Sequence, residues 1–155
     1  MPSGPADIDR SRMTSVDPLS TTTPPEAHVA LVRGAFAAFE QRDLAGLQAL
    51  CTPEVAFASQ TARIGAAGET YVGHRGLARY FGDTERIWET LELAPAEFRE
   101  PAAGVLLVKG RVRAWGSGRV VDSSASWLFR LPGGRIAEIR AFDTADAAAA
   151  YHATR

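Results

Sequence analysis

Between Gly104 and Asp143 the chain alternates apolar and polar residues in three successive runs, and this stretch limits what the rest can become. In the run Gly104–Trp115, Leu106, Val108, Gly110, Val112 and Ala114 share one face. Lys109, Arg111 and Arg113 share the other, with Val105, Leu107 and Trp115 at its ends. Period-two alternation predicts a half-buried strand. The run Val120–Leu131 puts Val121, Ala125, Trp127, Phe129 and Leu131 on one side, and Asp122, Ser124, Ser126 and Arg130 on the other. The run Arg135–Phe142 alternates less cleanly, with Ile139 and Ala141 sharing a face with Asp143 and opposed by Glu138, Arg140 and Phe142. Gly116-Ser117-Gly118 and Pro132-Gly133-Gly134 between the runs are turn sequences, and short connections make neighbouring strands antiparallel. Such a meander forms a curved wall, with the helices of the first half laid across its concave face.

Those helices are visible as a different period. Val29, Val32, Phe36 and Phe39 predict a helix over Glu26–Gln41, with Thr23 or a neighbour as its cap and Pro24-Pro25 suiting its entry. Asp43 is the expected N-cap of a short second helix carrying Leu44, Leu47 and Leu50, ended by Pro53. Val55–Ala58 is a short strand, and Ser59–Thr70 is a polar loop long enough to rim a pocket. Tyr71 to Gly76 lead into a third helix over Leu77–Trp88. Glu89–Glu100 is a strand in which Pro95 demands an edge position or a bulge. Thr144–His152 is a terminal helix. Residues 1–25 are rich in Pro, Ser, Thr and Asp and almost free of large apolar side chains, so a disordered tail is expected before one domain over 26–155. Helices segregated from an antiparallel sheet make an α+β fold: a cone-shaped curved sheet wrapped around the long N-terminal helix.

The bulk properties exclude several classes. A chain of 155 residues fits one domain and buries roughly 70% of its unfolded surface, so no covalent staple is required. The formal charge of −1 gives no electrostatic case for nucleic acid or an anionic membrane. No run approaches the about 18 apolar residues of a membrane span, and no apolar stretch follows Arg10 and Arg12 as a secretory signal would require. Cys51 is the single cysteine, read as a buried structural thiol, and a reducing, cytoplasmic setting is expected. His, Cys, Asp and Glu show no metal-ligand spacing, and neither a phosphate loop nor a dinucleotide fingerprint is present, so neither a metal nor a cofactor is expected.

Several short motifs in this order resemble one family. They are the stripe of the first helix with Arg42-Asp43-Leu44 and Leu50, then Pro53-Glu54-Val55. Tyr71-Val72-Gly73-His74-Arg75-Gly76-Leu77 running into Tyr80-Phe81 follows. Gly134-Arg135-Ile136, then Arg140-Ala141-Phe142-Asp143 and an alanine-rich helix, complete the pattern. From Glu26 to about Tyr151 the chain resembles the nuclear-transport-factor-two-like superfamily, in particular its polyketide-cyclase-like, SnoaL-like small proteins. The resemblance implies a cystatin-like conical α+β barrel around an apolar cavity, and a homodimer built on the outer sheet face. The charged residues Lys109, Arg111, Arg113, Arg130, Asp122 and Glu138 cover that face, either as a solvated surface or as that dimer face. Family members include isomerases, cyclases, hydrolases and proteins without known activity, so membership alone does not settle function. The positions that match the carboxylates and tyrosine of the steroid-isomerase branch are Ser59, Ala35 and Trp127. Those that match the limonene-epoxide-hydrolase triad are Gly110, Val112 and Ala141. Neither set supplies that chemistry.

The polar candidates for proton transfer are Asp143 and His74. Asp143 shares the predicted inner face with Ile139, where a carboxyl could act as acid or base; placed before Thr144-Ala145-Asp146, it could instead cap the terminal helix. His74 could shuttle protons, or pack and cap in its glycine-bracketed turn. Tyr71 and Tyr80 could donate to a ligand carbonyl or simply pack. Phe36, Phe39, Phe57, Trp88, Trp127 and Phe129 are core residues, several of which are expected to line the cavity as well. Ser59, Val108, Val112 and Ile139 complete the expected lining. Three functions fit this pattern: an acid–base enzyme acting on a hydrophobic metabolite, a non-catalytic pocket that binds an apolar metabolite, or a dimeric interaction module. A small apolar molecule is the expected partner in the first two cases.

Overall fold

The computed structural model describes residues 23–59, 70–116 and 118–154. The expected tail lies outside them apart from its last three residues, as do Ser117 and all but the two ends of the predicted rim loop Ser59–Thr70. The chain runs α1 (Glu26–Gln41), α2 (Leu44–Leu50), β1 (Cys51–Ala58), β2 (Tyr71–Val72), α3 (Gly73–Glu85), β3 (Thr90–Ala102), β4 (Val105–Gly116), β5 (Arg119–Arg130), β6 (Ile136–Phe142) and α4 (Ala145–Ala153). The strands form one sheet in the order β2-β1-β6-β5-β4-β3.

The meander is as its alternation requires. β4 and β5 pair antiparallel from Val105 opposite Arg130 to Gly116 opposite Arg119. β5 and β6 pair antiparallel from Ser126 opposite Phe142 to Arg130 opposite Glu138. Leu106, Val108, Val112 and Ala114 are buried, while Lys109, Arg111 and Arg113 are exposed. β3 is an edge strand whose register with β4 slips between Pro95 and Glu97, as the proline demands. There the β3 backbone crowds β4, and a side chain at Gly110 would place its Cβ 2.2 Å from the Ala94 carbonyl oxygen.

Two features of the sheet depart from expectation. It is mixed, because β1 runs parallel to β6, with Phe57 opposite Ile139. Short connections fix the meander's antiparallel sense; β1 reaches β6 only through α3 and four strands, which leaves its direction free. The sheet also stays open, since β2 and β3 end it without pairing to each other. The α+β architecture holds, as an unclosed cone rather than a closed barrel.

Helix ends differ in detail. α1 has the expected bounds, but Pro25 occupies its N-cap position and no side chain caps it. Its C-terminus closes with Asp43 N donating to Ala38 O (2.8 Å) and Arg42 N to Phe39 O (3.3 Å), a Schellman arrangement with Arg42 left-handed at φ 56°. Asp43 caps α2 by accepting from Gly46 N at 3.0 Å. Pro53 does not end that helix but lies inside β1. α3 starts at Gly73, four residues before the expected Leu77, and stops at Glu85, because Tyr71 and Val72 pair with β1 and the helix begins directly after them. Thr144, not Asp143, caps α4 by accepting from Ala147 N at 3.0 Å.

The outer sheet face is only partly open to solvent. α4 packs on it, so Ala125 through Phe129 are buried in succession and both faces of β5 are covered there. Glu138, 5% exposed, accepts from Arg130 Nε at 2.8 Å, Arg140 Nε at 3.1 Å and the Tyr151 hydroxyl. Further along, Arg111 meets Asp122 (2.6 Å), Arg113 meets Glu92 (3.5 Å) and Lys109 meets Glu97 (3.6 Å) in exposed cross-strand pairs. No helix among the described residues is long and apolar enough to cross a membrane.

Candidate functional site

The inner face of the meander meets α1 and α3 in an aromatic cluster. The stripe of α1 places Phe36 edge-on to Trp127 (centroids 4.9 Å apart, 76°) and to Phe129 (5.5 Å, 69°). One turn on, Phe39 stacks on Phe57 of β1 at 5.1 Å, and Phe57 meets Tyr80 of α3 edge-on at 4.5 Å. Edge-to-face pairs of this kind each add about 0.5–1.5 kcal/mol beyond area burial, so the cluster fixes the seat of α1 on the sheet.

Within the cluster lies a cavity of about 20 Å³, bounded by Phe36, Phe39, Phe57, Tyr80, Trp127 and Phe129. Ser59, Val112 and Ile139 also reach it. Leu91, Leu93 and Ala141 line it as well, and had not been expected to. The two leucines stand on β3, where the spacing Leu91-x-Leu93 is the period-two signal that could have put them on the inner wall. Three expected wall residues fall elsewhere. Tyr71 is wholly buried beside Tyr80 and donates to Asp83 Oδ2 at 2.8 Å, with the Arg79 guanidinium over its ring. Val108 is buried opposite Trp127 without bordering the cavity. Trp88 follows α3 and borders a second, smaller void.

The two proton-transfer candidates do not line the cavity. Asp143 lies just past the end of β6, exposed, in a trough of about 680 Å³ on the outer face beside Lys109, Arg111 and Ser124. The inner-outer alternation that placed it beside Ile139 lapses there because the chain leaves the sheet after Phe142. His74 sits in the first turn of α3, where its carbonyl accepts from Gln48 Nε2 at 2.9 Å. Its Nε2 is buried with no hydrogen-bond partner among the described residues. Among the described residues the cavity wall thus holds no carboxylate, imidazole or amine; Ser59, Tyr80 and Trp127 are its side chains with a polar group. No group of three His, Cys, Asp or Glu among the described residues could hold a metal. Burial pushes the Cys51 thiol up to about 12, against a smaller opposing pull from Arg135, which leaves it protonated and inert.

A model of the SnoaL-like domain matches residues 32–139, which span the cavity from α1 to β6. The chain belongs to the SnoaL-like domain family. No curated protein matches this SnoaL-like chain in sequence. Solved structures share its fold. TerC, crystallised with polyporic acid, superposes with a TM-score of 0.68 at 18% identity, over 83% of this chain and 97% of TerC. An NTF2-like protein of unknown function from Burkholderia pseudomallei gives 0.68 at 23% identity, over 80% and 95%. A candidate SnoaL-like polyketide cyclase from Jannaschia gives 0.64 at 17% identity, over 84% and 95%. At these identities the likeness is one of fold, and the SnoaL-like fold hosts more than one function.

Proposed function

We propose that this protein binds a small, flat, apolar molecule between α1 and the inner sheet face, without acid–base catalysis by Asp143 or His74. The observation that carries this reading is the wall: aromatic and aliphatic side chains converge on one cavity, with Ser59, Tyr80 and the Trp127 indole as the only polar groups among the described residues. A site of that composition recognises shape and apolar area, and it has no base of suitable strength at neutral pH. Drug-sized ligands occupy roughly 300–1,000 Å³, so an occupant of the 20 Å³ cavity must displace side chains. Leu91 and Leu93, half-buried on the edge strand, are the wall residues with most room to move.

The test is a thermal-shift screen against polycyclic aromatics, steroids, terpenoids, epoxides and polyporic acid. A ligand at 100 times its Kd adds about 2.7 kcal/mol to stability. Ala141→Phe, which fills the cavity from β6, abolishes the shift. Chemical conversion of a bound compound would overturn the non-catalytic part of the reading, and stabilisation that survives Ala141→Phe would overturn its location.

The outer trough supports a second copy of this chain as a partner. Its lining combines the small residues Ala94, Ala96, Gly110 and Ser124 with Lys109, Arg111, Glu97, Asp143 and Asp146. A face carrying both signs is self-complementary under a two-fold axis. Sedimentation equilibrium then gives a dimer that Ala94→Arg with Ser124→Arg converts to monomer; a wild-type monomer at tens of micromolar contradicts it.

A further inference from the structure

Beside the aromatic cavity lies a second void of about 10 Å³, lined by Arg42, Phe81, Thr84 and Trp88. Phe39, Tyr80 and Leu91 border both spaces, so these three side chains are the partition between them. Of the three, Leu91 is only half-buried, whereas Phe39 and Tyr80 are buried.

The second void differs in chemistry from the first. Trp88 is 1% exposed, and its indole Nε1 is buried with no acceptor among the described residues. Arg42 donates to the Trp88 carbonyl and has no carboxylate partner among the described residues. The Thr84 hydroxyl is already committed, donating to Tyr80 O at 3.0 Å. Arg42 and Trp88 thus both line the second void, one bringing a cation and the other an indole donor, and the described residues lining the two spaces include no aspartate or glutamate. An indole N–H buried without an acceptor is costly, and tryptophan normally finds one. Arg42 is also held at φ 56°, a left-handed position that favours glycine or asparagine. Neither feature is what packing or helix termination alone would select.

We infer that the ligand is an amphiphile: a flat apolar body in the aromatic cavity and one anionic oxygen, a carboxylate, phenolate or enolate, received by Arg42 and the Trp88 indole N–H. This rests on the apolar-binding reading above and narrows its ligand class. A guanidinium in a partly dry site takes an oxyanion in a strong charge-assisted hydrogen bond, and the indole supplies a neutral donor beside it.

Calorimetric titrations of the full chain with three probes separate the two claims: 2-naphthoate, its methyl ester and 2-methylnaphthalene. The wild type prefers the carboxylate to the ester at least tenfold. Arg42→Gly, which suits the left-handed backbone and so folds, loses that preference while keeping its affinity for the hydrocarbon. Trp88→Phe, which removes the N–H and keeps most of the packing, weakens the carboxylate several-fold and leaves the hydrocarbon unchanged. Binding of hydrocarbon and ester with no gain for the carboxylate overturns this inference alone. A preference that persists in Arg42→Gly does the same. Binding of none of the three overturns the apolar-pocket reading together with it.

Discussion

His28 Nδ1 lies 2.8 Å from Glu100 Oε1, and this pair ties the first turn of α1 to the far end of β3. The other carboxylate oxygen of Glu100 accepts from Gly104 N at 3.0 Å, which closes the turn into β4. One buried carboxylate therefore pins the helix to the hairpin it crosses. Glu100→Ala strands both donors and lowers unfolding free energy by about 1–3 kcal/mol, whereas His28→Ala loses a single hydrogen bond and costs about 0.5–1.5 kcal/mol. Urea denaturation of the two variants checks the order; equal losses would show that the turn does not depend on Glu100.

Glu138 sets an acid limit on stability. Burial is the largest single influence on its carboxyl and acts upward, but hydrogen bonds from Tyr151, Arg140 and Arg130 together outweigh it and hold the group below its ordinary 4.5. The unfolded chain then takes up the proton first as pH falls. The contribution of Glu138 is complete above the unfolded value and is lost as pH falls through the folded one. Glu138→Gln costs about 1–3 kcal/mol at neutral pH, and the gap between the two proteins narrows only in the acid limb. Melting temperatures measured from neutral pH downward test this: a gap that narrows towards alkaline pH instead would contradict it.

Cys51 is wholly buried and its thiol sits near 12. A thiol-specific disulfide reagent at pH 8 therefore labels the native protein no faster than it opens, and labels it stoichiometrically in denaturant. Rapid native labelling would place Cys51 in a solvent-reached site.

Gly110 is the tightest point of the sheet. Gly110→Ala drives Cβ into the Ala94 carbonyl at 2.2 Å and Pro95 Cα at 2.8 Å, both backbone atoms that cannot swing away. The cost is about 1–3 kcal/mol of overpacking, read from denaturation midpoints. Because Leu93 lies on the same strand segment, ligand affinity in this variant falls with stability.

Local signals were legible in the sequence and long-range ones were not. The stripe Val32-Phe36-Phe39 and the turn chemistry of Arg42-Asp43 gave α1 its bounds and Asp43 its capping role. Pro95 announced the edge strand and its bulge. The start of α3 was misplaced because Tyr71 and Val72 become a strand only through pairing with Ala56 and Phe57, distant in sequence. The parallel direction of β1 beside β6 was invisible for the same reason. Most of the cavity wall follows from alternation along β5 and helical spacing in α1. Trp88 was carried into it by extending a helix that stops at Glu85, and Asp143 by extending a strand that stops at Phe142. Leu91 and Leu93 were read as strand residues but not as wall, because which edge strand curls under α1 is a matter of tertiary packing.

The parallel pairing of β1 with β6 also orders events in time. β4 and β5 meet across a turn of a few residues, a closure with little entropy to lose. Phe57 and Ile139 meet only after most of the domain has been gathered between them, so the pairing of β1 with β6 carries the largest loop-closure penalty in the sheet. Both residues line the cavity. The pocket is consequently a late product of folding, and pulse-labelling of amides during refolding should protect the β4–β5 hairpin before Phe57 of β1.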